Sequence, residues 1–255
     1  VSVGNLTVGG SGKTPFVIAL ALCLDGVCII SRGYGRESRG LVEVSDRGKI
    51  LTDVYRSGDE PMLMANSLPK ASVIVSEDRH AAIALAIQRG AKVIILDDGF
   101  NRGEIQKFEI LLSPEAVRNP FPFPAGPFRE WYGMKKYADL HLTENQDFER
   151  HVEIVDSTER MLLVTAISNP ERLDRFLPEG VVARLYLEDH AYFDEIDLRE
   201  RMVGANATSL LVTQKDQVKM EGFKLPLSVM QLKLQIKSEV FDQVDAYVSN
   251  HSRGS

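Results

Sequence analysis

The residues best suited to do chemistry stand near the start of the chain. Gly9, Gly10, Gly12, Lys13 and Thr14 fall within VSVGNLTVGGSGKTPFVIALALCL, which reads as a short apolar strand, a glycine-rich turn and an apolar helix. Glycines let backbone N–H groups curl around phosphate oxygens without Cβ clashes, and the positive end of the following helix dipole points at the same place. The spacing defines a phosphate-binding loop over Thr7, Val8, Gly9, Gly10, Ser11, Gly12, Lys13 and Thr14. Thr7 stands where the strict pattern has its first glycine. In such a loop Lys13 reaches the β- and γ-phosphates and the Thr14 hydroxyl ligates Mg²⁺. Pro15 suits the first helical turn, which has no internal use for its N–H. The expected ligand is a nucleoside triphosphate.

A phosphate loop of this kind needs an acidic strand end beside it. KVIILDDGF supplies one in Asp97 or Asp98, and Asn101 and Arg102 follow at once in position to line the same cleft. In SGDEP, ahead of the helix-like MLMANSLP, Asp59 suits a helix cap and suits a catalytic carboxylate; the two roles compete for the same oxygens. SRGYGR sends Arg32 and Arg36 from the end of the apolar run VCIIS, where ligands of open α/β sheets bind, although a solvated basic turn has the same sequence. Arg79 closes ASVIVSEDR, and Arg129 and Glu130 close NPFPFPAGPFREW. That last segment is a rigid, ordered loop by its prolines, readable also as an aromatic plug over the core. His190 follows Asp189 past a strand end; a lone histidine is more often structural. No cluster has zinc-ligand spacing.

The elements that must position these groups alternate strand and helix with short connections, the signature of an α/β fold. We expect a P-loop NTPase-type core with a mainly parallel sheet over residues 1–147, and a second, smaller α/β lobe over 155–225 that carries His190. Residues 226–255 are expected to return to the first domain. LVEVSDRGKILT reads as a hairpin turning at Asp46-Arg47-Gly48, HAAIALAIQRGA as a helix closed by Gly90, and SNPERLDRFL as a helix opening at Ser168 or Asn169. Residues 145–158 are polar and read as a crossover between the lobes.

The chain has 255 residues, enough to bury a real core, and 44% hydrophobic and 26% charged content, ordinary for a globular protein. A formal net charge of −6 argues against bulk electrostatic binding to nucleic acid, so an anionic substrate needs a local basic patch. Cys23 and Cys28 sit in apolar runs and are expected buried and reduced, as in a cytoplasmic protein. No run reaches the ~18 apolar residues of a membrane span. The chain opens at Val1 on its first core strand, without an initiator Met, so we expect an N-terminal piece to be missing.

Taken in order, VGNLTVGGSGKTP, SRGYGR, GDEP, SEDR, LDDGF, PAGPFRE and EDHAYF resemble the tetraacyldisaccharide 4'-kinases of lipid A biosynthesis. The resemblance runs from the first residue to about Lys219. The family's loop also lacks the first glycine of the strict motif. The family usually has Gln where this chain has Asn101, and its amphipathic N-terminal membrane helix has no counterpart here. The resemblance implies ATP and Mg²⁺, and an acceptor that is a tetraacylated glucosamine disaccharide 1-phosphate, phosphorylated on its 4'-hydroxyl. It implies a cytoplasmic enzyme held peripherally on the inner membrane. By position, Asp59 matches the family's catalytic carboxylate and His190 its partner histidine, with Lys13 on the phosphates. Arg32, Arg79, Asn101 and Arg129 match residues near the substrate.

Two other classes remain open on the residues alone. A GTPase-type switch or chaperone needs a guanine-reading [NT]-K-x-D; the nearest stretch, Thr213-Gln214-Lys215-Asp216, has the wrong spacing. A kinase of a soluble small molecule would share the scaffold.

Overall fold

A computed structural model describes residues 1–7, 12–100, 103–117 and 119–252. The chain forms two compact units: Val1–Arg150 together with the chain from Leu234 onward, and His151–Lys233.

The first unit opens with β1 (Ser2–Asn5), α1 (Lys13–Leu22), β2 (Val27–Ser31), β3 (Val42–Asp46) and β4 (Lys49–Ile50). It continues through α2 (Val54–Ser57), α3 (Asp59–Ser67), β5 (Ser72–Val75), α4 (Arg79–Gln88), β6 (Val93–Asp97), β7 (Glu109–Ser113) and β8 (Leu140–Thr143). These strands make one sheet in the order β4-β3-β5-β2-β6-β1-β7-β8. From β5 to β8 every neighbour pair is parallel, while β3 runs antiparallel to β5 and to β4. Parallel strands flanked by crossover helices are buried on both faces, and their sequences are near-continuous apolar runs. VCIIS in β2 is buried along its whole length. Phe16, Ile29, Ile30, Ile74 and Ile95 lie at the centre of the core, each contributing about 1.5–3 kcal/mol by leaving water. The parallel run brings the ends of β1, β2 and β6 to one edge, with Val3 opposite Asp97. The expected hairpin forms, with Asp46 opposite Lys49, and α4 ends at Gln88 with Gly90 just beyond.

The second unit is built on β9 (Phe148–Val155), β10 (Met161–Thr165), β11 (Val181–Tyr186), α5 (Glu195–Gly204), β12 (Ser209–Thr213), α6 (Gln214–Gln217) and β13 (Leu227–Ile236), while α7 (Ser238–Ser252) belongs to the first unit. Its sheet has the order β11-β10-β12-β13-β9. Leu162, Val164, Leu198, Leu210, Val212 and Val229 form one core of this unit.

Several expectations need correction. The polar segment 145–158 is not a plain crossover: residues 148–155 form β9, whose Val152 and Ile154 pack on the core beneath while the residues between them face water. Residues 227–233 belong to the second unit as part of β13, so the return to the first unit starts at Leu234 and not at 226. SNPERLDRFL forms a 3₁₀ turn over Pro170–Phe176, and the Asn169 side chain makes no capping bond. Cys23 is exposed at the end of α1. Cys28 is buried, and burial pushes its thiol up to about 12. Among the described residues, no helix is long and apolar enough to cross a membrane.

Candidate phosphoryl-transfer site

The site grows out of the junction between β1 and α1. Lys13 is the first residue of α1 and Gly12 its cap, at φ 81°. A side chain at Gly12 would be strained in that left-handed region, and its Cβ would lie 3.1 Å from the Arg150 guanidinium. Thr14 and Pro15 follow in the first turn, as expected. Val8, Gly9, Gly10 and Ser11 of the expected loop, and Asn101 with Arg102, lie outside the described residues. Lys13 Nζ donates to Asn5 Oδ1 at 2.7 Å, and Asn5 Nδ2 donates to the Thr7 carbonyl and hydroxyl at 2.8 and 2.9 Å. Asn5 at the end of β1 therefore holds both ends of the loop.

The two carboxylates after β6 have different surroundings. Asp97 is buried; its Oδ2 accepts the Ser31 hydroxyl at 2.9 Å, and its Oδ1 has no hydrogen-bond partner among the described residues. Burial pushes the Asp97 carboxyl up to about 6, and the neighbouring charge of Glu60 adds to the effect. Asp98 takes a left-handed backbone (φ 56°) that turns its side chain elsewhere. It pairs with Lys13 Nζ at 3.3 Å and with Arg129 Nη1 at 2.9 Å. Burial pushes this carboxyl up, but the two cations outweigh burial and the net direction is down.

Asp59 is the first residue of α3 and is buried. The helix cap is Gly58, which has no side chain to offer, and Asp59 Oδ1 accepts the N–H of Glu60 at 2.9 Å. Gly58 sits at φ 86°, and a Cβ there would lie 3.0 Å from the Tyr34 carbonyl oxygen. Its lack of a side chain thus lets the SGDEP and SRGYGR loops touch. In the second loop Arg36 is structural: it is buried and bonds Glu77, Ser38 and the Gly40 carbonyl. Arg32 and Tyr34 are exposed. Arg79 is buried at the start of α4 and donates to the Asp97 carbonyl at 2.9 Å, so it braces the strand end from below. Asp78 beside it caps α4 through the Ala81 N–H.

The proline-rich segment does both of the things its sequence allows. Phe128 is buried against Leu6, Leu111 and Tyr132, while the neighbouring Arg129 is exposed and reaches Asp98. The Arg129 N–H donates to the Leu6 carbonyl at 2.7 Å, which fixes the loop to the end of β1.

In the second unit His190 sits in the turn after β11 with φ 64°. Its Nε2 lies 3.7 Å from Asp189. Spacing does not single out Asn5, Ser31 or Glu60: Asn5 bonds Lys13 and Ser31 bonds Asp97 at the ends of parallel strands, and Glu60 acts on Asp97 through its charge from α3.

A lysine at the start of a helix, an acidic strand end on the adjacent parallel strand and a mainly parallel sheet are the frame of a P-loop nucleotide-binding protein. Comparisons with known proteins narrow the class. Residues 1–250 match the family described as tetraacyldisaccharide-1-P 4'-kinase, LpxK. The tetraacyldisaccharide 4'-kinase of Helicobacter pylori strain J99 is 48% identical over 254 residues, covering 98% of this chain and 80% of the relative. That of Aliarcobacter butzleri is 41% identical over 259 residues, covering 98% and 82%. The crystal structure of Aquifex aeolicus LpxK in complex with ATP superposes with a TM-score of 0.80 at 28% identity, covering 97% of this chain and 87% of that one. The chain belongs to the tetraacyldisaccharide 4'-kinase family.

Proposed function

We propose that this chain moves the γ-phosphoryl group of ATP to the 4'-hydroxyl of a tetraacylated glucosamine disaccharide 1-phosphate, a lipid A precursor, with Asp59 accepting the hydroxyl proton. The observation that carries the reading is the edge of the first sheet, where Lys13 opens α1 and Asp97 keeps one carboxylate oxygen without a partner among the described residues; a buried Asp59 opens α3, whose next residue, Glu60, acts on Asp97 through its charge. The acceptor oxygen forms a bond to the γ-phosphorus as the bond to the β-phosphate oxygen breaks, and ADP leaves. Lys13 neutralises charge on the transferring group. Asp59 takes the proton as the new bond forms. His190 is given a part in the transfer by the match of EDHAYF to the family.

The donor set fits Mg²⁺. Mg²⁺ takes oxygen ligands and keeps most of its shell as phosphates and water, so it needs only one or two groups from the protein. Asp97 Oδ1 and the Thr14 hydroxyl are the groups we assign to it, with Asp98 given to Lys13 and Arg129. When bound, Mg²⁺ draws negative charge from the β- and γ-phosphates. Arg32 and Arg129, exposed and cationic, suit the acceptor's phosphate and sugar. An acceptor with four acyl chains is presented by a bilayer, so the enzyme works at the cytoplasmic face of the inner membrane as a peripheral protein.

A GTPase-type reading loses its motif: Asp216 is fully buried and bonded within its own unit, so it is not available to a guanine ring. The test is transfer from ATP to the disaccharide 1-phosphate in detergent micelles, with GTP and soluble glucosamine as controls. Phosphorylation of the lipid at its 4'-position with ATP is expected; transfer to the soluble sugar alone would overturn the substrate class.

A further inference from the structure

We propose that the buried Asp216–Lys219 pair is a positioning device for His190, holding the backbone of residues 187–191 so that the imidazole is presented in one orientation. The proposal rests on the reading of His190 as a participant in phosphoryl transfer. It gives a role to the Thr213-Gln214-Lys215-Asp216 stretch, which the nucleotide site does not use.

The bonds of this pair converge on one loop. Asp216 Oδ2 accepts the hydroxyls of Thr165 and Thr213 at 2.6 and 2.7 Å, and its Oδ1 accepts the Ala166 N–H at 3.1 Å. Ala166 in turn accepts the His190 N–H on its carbonyl at 3.0 Å, and the Thr165 carbonyl accepts that of Leu187 at 2.9 Å. On the other side of His190, Lys219 Nζ donates to the Ala191 carbonyl at 2.9 Å and lies 3.3 Å from Asp216 Oδ1. Lys219 also sits 4.9 Å from the centre of the Phe193 ring. Lys215 Nζ is 3.9 Å from Asp189. The loop is thus held before, at and after His190, by Lys215 and Lys219 directly and by Thr165 and Ala166, which Asp216 holds in turn.

Two physical arguments make this more than packing. His190 has φ 64°, a left-handed conformation that a residue with a Cβ adopts at a cost. Such a conformation persists only where the surroundings over-determine it, and it gathers at functional sites. The side chains of Asp216 and Lys219 are almost completely buried, and a buried ion pair is a poor source of stability, often matched or bettered by apolar residues of the same volume. What the pair does supply is a fixed set of directions for the polar groups on both sides of His190.

The test is a double-mutant cycle on kcat, using the full chain, with ATP affinity and Tm measured alongside. Lys219→Met is expected to lower kcat about 10–100-fold, since small misplacements of a reacting group carry losses of that order, and to leave ATP affinity unchanged. In the His190→Ala background the same change should cost nothing further, because both act through one group. A loss of kcat that is just as large in the His190→Ala background means a merely structural role and overturns the proposal. So does a folded Lys219→Met enzyme with wild-type kcat. If Lys219→Met fails to fold, Thr165→Val, which removes a single bond to Asp216, takes its place in the same cycle. Unchanged kcat in His190→Ala alone would sink the reading of His190 and this proposal with it; a loss there beside an intact Lys219→Met sinks only the positioning role.

Discussion

The ammonium of Lys13 lies 3.3 Å from Asp98 Oδ1, so the lysine that opens α1 is paired with the second carboxylate after β6. Asn5 holds the same ammonium from the end of β1. Lys13 points into the site and not into the core, and this separates its two possible effects. Lys13→Ala should abolish phosphoryl transfer, a loss of at least about 10²–10³ in kcat, while Tm shifts by only a few degrees. Turnover near that of the wild type would remove the phosphate-loop account.

Asp97 gives a pH dependence. An aspartate in the unfolded chain ionises near ~3.9, whereas burial raises this one to about 6. The fold therefore holds the proton more tightly than the unfolded chain does. Its contribution to stability is fully present below pH ~4, is lost as pH rises towards 6, and stays lost above. Asp97→Asn removes this cost. The ligand-free variant should be more stable than wild type at pH 8, by about 1–3 kcal/mol, with the gap closing at pH 4. Denaturant melts at the two pH values check it. Transfer activity should fall in the same variant, and in the wild type the Mg²⁺ needed for half-maximal rate should rise below pH 6, where the proton competes for Oδ1.

Phe128 is the anchor of the proline-rich loop, with its ring 5.2 Å from that of Tyr132 in an edge-on arrangement. Phe128→Ala should cost about 3–5 kcal/mol of stability, read as a lower denaturant midpoint. It should also lower activity at temperatures where the variant remains folded, because Arg129 depends on the same loop.

The parts legible in the sequence were those with a local signature. Lys13 and Thr14 at the start of a helix and the Asp97-Asp98 pair after an apolar strand are legible in the sequence, and the parallel order follows from strand–helix alternation. Glu60 had no such signature: its charge matters because folding sets α3 near the end of β6. Asn5 and Ser31 are ordinary polar residues until the register brings Lys13 and Asp97 to them. β9 was hidden because Glu149, His151 and Glu153 alternate with its inward residues, as they must on an edge strand with one wet face. The distinct roles of Asp97 and Asp98 depend on one left-handed residue, which two adjacent aspartates in a sequence do not disclose.

We propose Asp59 as the group that accepts the hydroxyl proton, and Asp59→Ala is the measurement that tests the account most directly. The variant should lose about 10²–10⁴ in kcat for transfer to the disaccharide 1-phosphate, the usual worth of a positioned acid–base group, with ATP affinity close to that of the wild type, since Lys13 and Asp97 remain. Its stability should change little, because the cap of α3 is Gly58. An enzyme that keeps its kcat and instead loses ~1 kcal/mol of stability, the signature of a deleted helix cap, would contradict it.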